Sequence, residues 1–151
     1  MENRNPLSIS EQEQISAAIL QIIASYTDFP SNITSKKIFW QYIEPSGSVG
    51  VFGLTGAVYL RRYVSGNFRA QFPFCIRYTC NPTSNADRIA KRAVLDELAD
   101  WICNKIEYPD LTDGRTIDKI EQTSVTTLAG VDDNGNELYQ CNFVLEYSKV
   151  S

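Results

Sequence analysis

Two acidic clusters are the residues whose types come closest to a metal site. Glu107, Asp110 and Asp113 precede Gly114 and resemble the start of a calcium-binding loop. Their spacing differs from that of an EF-hand, and no glutamate stands where that loop places its last ligand. The second cluster, in residues 132–135, reads Asp-Asp-Asn-Gly, which a tight hairpin turn favours for backbone reasons alone. We interpret both clusters as solvated loops and predict no bound metal.

Histidine is absent from all 151 residues of the chain. This excludes Ser-His-Asp and Cys-His nucleophilic catalysis, histidine general bases and nearly all catalytic zinc sites. Residues 47–56 carry several glycines, but they lack the Gly-Lys-Ser/Thr of a phosphate-binding loop and lead into no helix. The sequence therefore predicts no catalytic residue and no cofactor. An enzyme or small-ligand-binding domain that uses a cleft between sheet and helices, with Asp or Tyr as acid and base, stays open as the less favoured alternative.

Four arginines could form a basic stripe beside aromatic residues. Arg61 and Arg62 lie in one predicted strand, and Arg69 and Arg77 share one face of the returning strand. Such a stripe can bind nucleic acid. The net charge of −4 opposes phosphate binding as the main activity, because that activity needs a surplus of Lys and Arg. We therefore predict a subunit contact or a solvated face here, and no direct nucleic-acid binding.

The four cysteines, Cys75, Cys80, Cys103 and Cys141, form no C-x-x-C pair. Cys75 and Cys80 are an odd number of residues apart, so they point to opposite faces of a strand that contains both. We interpret all four as reduced thiols of a protein that is made in the cytoplasm. The N-terminus lacks a secretory signal, and no apolar run reaches the roughly 18 residues of a membrane span, so we expect no membrane partner.

Hydrophobic periodicity predicts two helices in a single domain of residues 10–151, which follows a flexible arm of residues 1–9. Ser10 and Glu13 fit a capping box at the start of the first helix, which is expected to end near residues 24–26. Ser84 or Asn85 can cap a second helix that runs to about Lys105. The apolar stripes are Ile15, Ala18, Ile19, Ile22 and Ile23 in the first helix, and Ile89, Ala90, Ala93, Val94, Leu98, Trp101, Ile102 and Ile106 in the second.

Alternating apolar residues and tight turns predict a mainly antiparallel sheet. Pro73 cannot donate to a strand ladder, so we expect an edge or a bulge there. The two helices must cover one face of the sheet, which predicts an α+β two-layer sandwich. The predicted strands are residues 37–44, 57–64, 68–80, 116–128 and 137–147, with 48–55 as a weak strand or mobile loop. The predicted core places Phe72, Phe74, Ile76, Tyr139, Phe143 and Leu145 beneath Ile19, Ile22, Leu98, Trp101 and Ile102.

The chain from about Val58 to Tyr147 resembles the minor capsid and tail-terminator proteins of long-tailed, siphovirus-type bacteriophages and prophages. The order and spacing of several short segments carry the resemblance. These segments are residues 60–66 (LRRYVSG), 71–74 (QFPF), 96–101, 111–115, 120–124 (IEQTS) and 139–147. The resemblance implies a tail-terminator-like α+β subunit without an active site.

The same resemblance implies a structural protein of the virion, made in the cytoplasm of the bacterial host. Its copies would form a closed ring, a hexamer, that caps the tail tube and joins it to the head connector. Another neck or connector component of the minor capsid is the close alternative. We expect subunit contacts at the arm, at residues 47–56 and near the proline of the long strand. The residues predicted for this interface are Val49, Val51, Phe52, Arg61, Arg62, Arg69, Pro73 and Arg77.

Overall fold

The computed structural model describes residues 5–105 and 107–150. Along these residues one helix precedes four strands and a second helix precedes three more, and a short 3-10 turn, Ser35–Lys37, lies before the first strand. The elements are α1 (Ile9–Ala24), β1 (Ile38–Trp40), β2 (Ser48–Gly53), β3 (Val58–Arg62), β4 (Phe68–Cys80), α2 (Asn85–Cys103), β5 (Arg115–Gln122), β6 (Thr127–Val131) and β7 (Glu137–Lys149). Neither described helix combines the length and the hydropathy that crossing a bilayer requires.

The sheet is built around two long antiparallel strands, β4 and β7, which pair along their whole length. The outer edge of each long strand pairs with two short strands: β2 and β3 pair with β4, and β5 and β6 pair with β7. β1 extends the sheet beyond β2 in the parallel direction. The predicted α+β class is thus confirmed, with one parallel pair at the edge of a mainly antiparallel sheet.

Pro73 lies in a central strand, so the expectation of a sheet edge holds only locally. Its carbonyl accepts from the Leu54 N–H at 2.9 Å, which shows that its backbone polar groups point away from β7. On that side β2 has already ended at Gly53 and β3 does not begin until Val58. The missing N–H of proline therefore falls in the gap between two short strands, where it breaks no ladder.

One face of the sheet packs against both helices. Phe74 and Phe143 are directly opposite each other on β4 and β7, and their rings stack with centroids 5.3 Å apart. All predicted core residues are buried except Trp101, which is half-buried. Buried residues from Leu7 to Tyr147 form one hydrophobic cluster. The period-2 pattern of the strands and the stripe of α1 therefore identified the core correctly, because burial of one face is what creates them.

The stripe predicted for α2 is correct only in part. Leu98 and Ile102 are buried, but Ile89 is 73% exposed and Ala90 is exposed. The helix buries Leu95, Leu98, Ala99 and Ile102, which follow the i, i+3, i+4, i+7 spacing of one helix face. The last residue of the predicted stripe, Ile106, lies outside the described residues.

The N-terminal segment differs from the prediction. Helix α1 begins at Ile9 and is capped by Ser8, whose Oγ accepts from the Glu11 N–H at 3.2 Å, so the capping box at Ser10 is wrong. Residues 5–9 are not a loose arm, because Leu7 is 3% exposed and its N–H donates to the Ala57 carbonyl at 2.9 Å. The rest of the expected arm, residues 1–4, lies outside the described residues.

Of residues 48–55, predicted as a weak strand or mobile loop from their glycines, Ser48–Gly53 form the well-packed strand β2 and the last two lie beyond its end. β2 lies between β1 and β4, and Gly50 lies where the carbonyl of Tyr42 crosses the strand. A Cβ on Gly50 would be 2.6 Å from that carbonyl oxygen, so this glycine permits a close approach of backbone. Strand β1 is shorter than predicted because Gln41 has a φ of 56° and turns the chain out of the strand.

Further boundaries differ by a few residues: β3 ends at Arg62, before the predicted limit of 64, and β7 continues to Lys149, beyond the predicted limit of 147. The predicted strand 116–128 is divided into β5 and β6 by residues 123–126. Helix α2 ends at Cys103, slightly before the predicted limit. These differences are small, since strand breaks and helix ends are set by tertiary pairing more than by local pattern.

Candidate assembly surfaces

The face of the sheet opposite the helices is polar. Its charges are largely paired across strands: the Arg77 Nε donates to Gln140 Oε1 at 2.9 Å, and the Lys119 Nζ is 2.9 Å from a Glu146 oxygen. Arg69 lies 3.8 Å from the same carboxylate. Arg69 and Arg77 do share this face, as predicted, but eight residues of strand separate them by roughly 27 Å. The four arginines therefore form no continuous stripe.

Val49 and Val51 do not belong to a surface. Both are 0% exposed and point into the core, because they pair with Tyr78 and Ile76 on the inner face. Their prediction as interface residues is wrong for the isolated chain. Phe52 points outward instead, half-buried under the Arg77 guanidinium, which lies 4.3 Å from its ring centroid. Pro73, also half-buried, belongs to the same outer face.

The end of β3, just before the turn into β4, carries the other two predicted arginines. The Arg62 guanidinium lies 4.4 Å above the Tyr59 ring, and that of Arg61 lies 5.7 Å from the Tyr63 ring. Neither arginine forms an ion pair with a carboxylate in the part of the chain that the structure describes. Tyr63 is 46% exposed and Val64 is fully exposed. We call residues 59–67 the arginine hairpin.

A cleft of about 560 Å³ lies between α1 and the region of β1 and the β2–β3 connection. Its walls are mostly apolar, with Trp40 and Phe72 on the sheet side and Ile9 and Leu20 on the helix side. Among the described residues that line the cleft, Glu13 is the one carboxylate, and there is no cysteine, lysine or arginine. These lining residues therefore provide no acid–base pair of the kind that hydrolysis or proton transfer needs.

Buried charges lie elsewhere, in a network that joins α1 to the sheet. The Glu11 carboxylate accepts from Arg115, through Nε at 2.9 Å and through a second guanidinium nitrogen, and from the Tyr147 hydroxyl at 2.9 Å. Burial acts to raise the pKa of Glu11, but the hydrogen bonds from Arg115 and Tyr147 outweigh it and hold that pKa below its ordinary value. The carboxylate is thus kept ionised and fully occupied by protein groups.

A second network repeats this arrangement at the other end of β7. The Glu137 carboxylate accepts from Arg88 Nε at 2.7 Å and from the Tyr139 hydroxyl at 2.9 Å. The Arg88 hydrogen bond lowers the pKa of Glu137 in spite of its burial. Arg88 lies in the first turns of α2, so each helix is fastened near its start to one end of β7.

The sequence analysis did not identify these networks, although the first of them has a recognisable pattern in the sequence: a charged residue on a predicted apolar face. Glu11 lies four residues before Ile15 on the apolar stripe of α1, and Arg115 shares the inward face of β5 with Ile117. A charged residue on a buried face needs a partner of opposite charge. The partners are 104 residues apart, so the local spacing of the chain does not reveal them.

The acidic clusters have the structural roles predicted for them. The Asp132 carboxylate accepts from the backbone N–H groups of Asn134 at 2.9 Å and Asn136 at 2.8 Å, and so closes the β6–β7 turn. Asp113 turns the chain with a φ of 56° and lies 3.6 Å from Arg115. Over the described ranges, no three His, Cys, Asp or Glu side chains come together to hold a metal ion.

The thiols are sequestered: Cys75, Cys80 and Cys141 are buried and Cys103 is half-buried. Burial raises the pKa of Cys80 and of Cys103 to about 11, so neither is a thiolate at neutral pH. We expect the denatured, unreduced protein to show four alkylatable thiols by mass spectrometry, and the native protein to react slowly at pH 7. Two thiols blocked without reductant would contradict the predicted reduced state.

Comparison with known proteins gives a likeness of fold. No protein-family model matches the chain, and no curated protein matches its sequence. The fold is similar to that of a chain in the solved virion of a native gene transfer agent particle, with a TM-score of 0.64 at 11% sequence identity. The match covers 93% of this chain and 99% of that chain. At this identity the two chains share the α+β fold over nearly their whole length.

Proposed function

We propose that this chain is a structural protein of a bacteriophage virion, and specifically a tail-terminator subunit. In this function a ring of copies, a hexamer, caps the completed tail tube and joins it to the head connector. The observation that carries the proposal is the fold likeness to a virion chain, which extends over 93% of this chain and 99% of the other. The sequence resemblance of residues 58–147 to phage tail-terminator proteins supports the finer assignment.

The chemistry of the described residues supports a protein that works by contact. Its buried carboxylates, Glu11 and Glu137, are both occupied by arginine and tyrosine. Its exposed features are those of binding surfaces: a hairpin rich in Arg and Tyr, an apolar cleft and a polar sheet face. The proposed partners are copies of the same chain, the tail tube protein and the head connector. The proposed location is the virion, after synthesis in the host cytoplasm.

Deletion of the gene from its phage tests this function. We expect electron micrographs of the lysate to show tails of uncontrolled length, or tails unable to join heads, and complementation with the wild-type gene to restore normal particles. Normal particles from the deletion phage would refute the proposal. Full heads with detached tails of normal length would instead favour a neck component of the minor capsid.

A further inference from the structure

The arginine hairpin is a preorganised cationic element. Stacking on Tyr59 and Tyr63 restrains Arg62 and Arg61, so ordering these long side chains costs less entropy when a partner binds. Both guanidinium groups lack an ion pair within the described residues, although the chain as a whole carries a net charge of −4. Val64 adds an apolar side chain at the fully exposed tip. Arg and Tyr at a protruding position are typical of binding hot spots.

A groove of opposite charge lies on the helix layer of the same chain. This acidic groove has a volume of about 440 Å³ and is lined by Tyr26, Asp28, Asp96, Glu97, Asp100 and Trp101. The ring centroids of Tyr26 and Trp101 are 4.9 Å apart, and the two rings form an apolar floor. Burial raises the pKa of Tyr26, and the charges of Asp28 and Glu97, which line the same groove, add to that effect.

The charges of the groove and of the hairpin are opposite. Asp96 has a partner in Arg92 at 3.9 Å. Asp28, Glu97 and Asp100 have no ion pair among the described residues, although Asp100 accepts a hydrogen bond from the neutral Asn104 amide at 2.9 Å. The groove thus presents three carboxylates without a counter-ion beside an aromatic floor, and these complement the two guanidinium groups of the hairpin, which lack an ion pair themselves.

One copy of the chain does not bring these two surfaces together. Val58, immediately before the arginine hairpin, forms a β-bridge with Pro6, which lies just before α1. Tyr26, in contrast, follows the C-terminal end of that helix. The 16 residues of α1 span about 24 Å, which separates the hairpin from the groove. A contact between them must therefore join different copies, and a head-to-tail contact of this kind generates a ring when the rotation closes.

We infer that the arginine hairpin of one copy binds the acidic groove of the next copy, with Arg61 and Arg62 facing Asp28 and Glu97. This inference rests on the proposed function, because it identifies the contact by which the proposed ring closes. Nucleic acid is the less suitable occupant, since a phosphate backbone would account for the arginines and leave the groove without a role.

The test complements the deletion phage with charge-reversed genes. Variant R61E/R62E and variant D28K/E97K are each expected to weaken the contact roughly 30-fold or more and to leave the titre near that of the deletion. Co-expression of both variants should restore infectious particles, because alternating copies then present opposite charges at every contact. Lys36→Glu, which reverses an exposed charge outside both surfaces, should complement as well as the wild type.

The outcomes separate the contact from the function. If the deletion impairs particles and R61E/R62E complements fully, the contact is refuted and the function stands. If only R61E/R62E fails while D28K/E97K complements, the arginines bind another acidic partner or nucleic acid, which also overturns the inference. Failure of the co-expressed pair counts against it once thermal melts show that both purified variants fold like the wild type.

Discussion

Replacing Glu11 by alanine is expected to lower the free energy of unfolding by roughly 3–5 kcal/mol. The substitution leaves the Arg115 guanidinium buried without its counter-ion and removes the acceptor of the Tyr147 hydroxyl. Urea unfolding at pH 7, followed by the fluorescence of the two tryptophans, measures the loss. Glu13→Ala is the matched control, because it removes an exposed carboxylate from the same helix and should change stability by at most about 0.5 kcal/mol.

The same ion pair predicts a dependence on pH. The pKa of Glu11 is lower in the folded chain, so its stabilising effect is complete above the unfolded value of about 4.3 and is lost as pH falls through the folded value. We therefore expect the difference in unfolding free energy between wild type and Glu11→Gln to be largest at pH 7 and to shrink below about pH 4.3. An equal difference at pH 7 and at pH 3 would contradict this assignment.

Phe143→Ala is expected to cost roughly 3–5 kcal/mol of unfolding free energy, from lost apolar transfer and from the cavity left behind. Phe143 is 1% exposed and stacks on Phe74 at the centre of the two long strands, where rigid sheet backbone limits collapse of the cavity. Denaturant unfolding measures the effect. Val144→Ala, on the outer face of the same strand and half-buried, should cost clearly less. A loss of unfolding free energy near zero for Phe143→Ala would show that this face of β7 points to solvent and not into the core.

The sequence predicted the parts of the fold whose information is periodic. The alternation along β4 and β7 and the apolar stripe of α1 specify which residues face inward, and the structure confirms them. The start of α1 was harder, because Ser8 and Ser10 both suit an N-cap, and the choice depends on Leu7 docking against Ala57. Strand β2 is harder still to predict, since the sequence does not distinguish a glycine that allows the close approach of a backbone carbonyl from a glycine of a mobile loop.

The candidate surfaces were predictable only in part. Arg61 and Arg62 are exposed, and their interface role stays a prediction. Val49 and Val51 were assigned to the surface because a short glycine-bearing strand shows too few residues to reveal which face is buried. Register with β4 decides that, and register is a long-range property of the sheet.

Two short strands pair with the outer edge of each long strand, and each pair of short strands leaves a gap between them. The two gaps define a line across the sheet, which we call the crease. The gap between β2 and β3 lies beside Pro73, and the gap between β5 and β6 lies beside Cys141 and Asn142, a few residues away across the sheet. Along this line only β4 and β7 are continuous strands. The gaps beside them are bridged by backbone hydrogen bonds from Leu54 and Thr123 and by Ser124, whose Oγ accepts from the Asn142 N–H at 3.0 Å. Bending there disturbs fewer backbone pairs than bending through either half. The stacked rings of Phe74 and Phe143 support the crease on the helix side, so the sheet has a built-in line along which its curvature can change while its core stays packed.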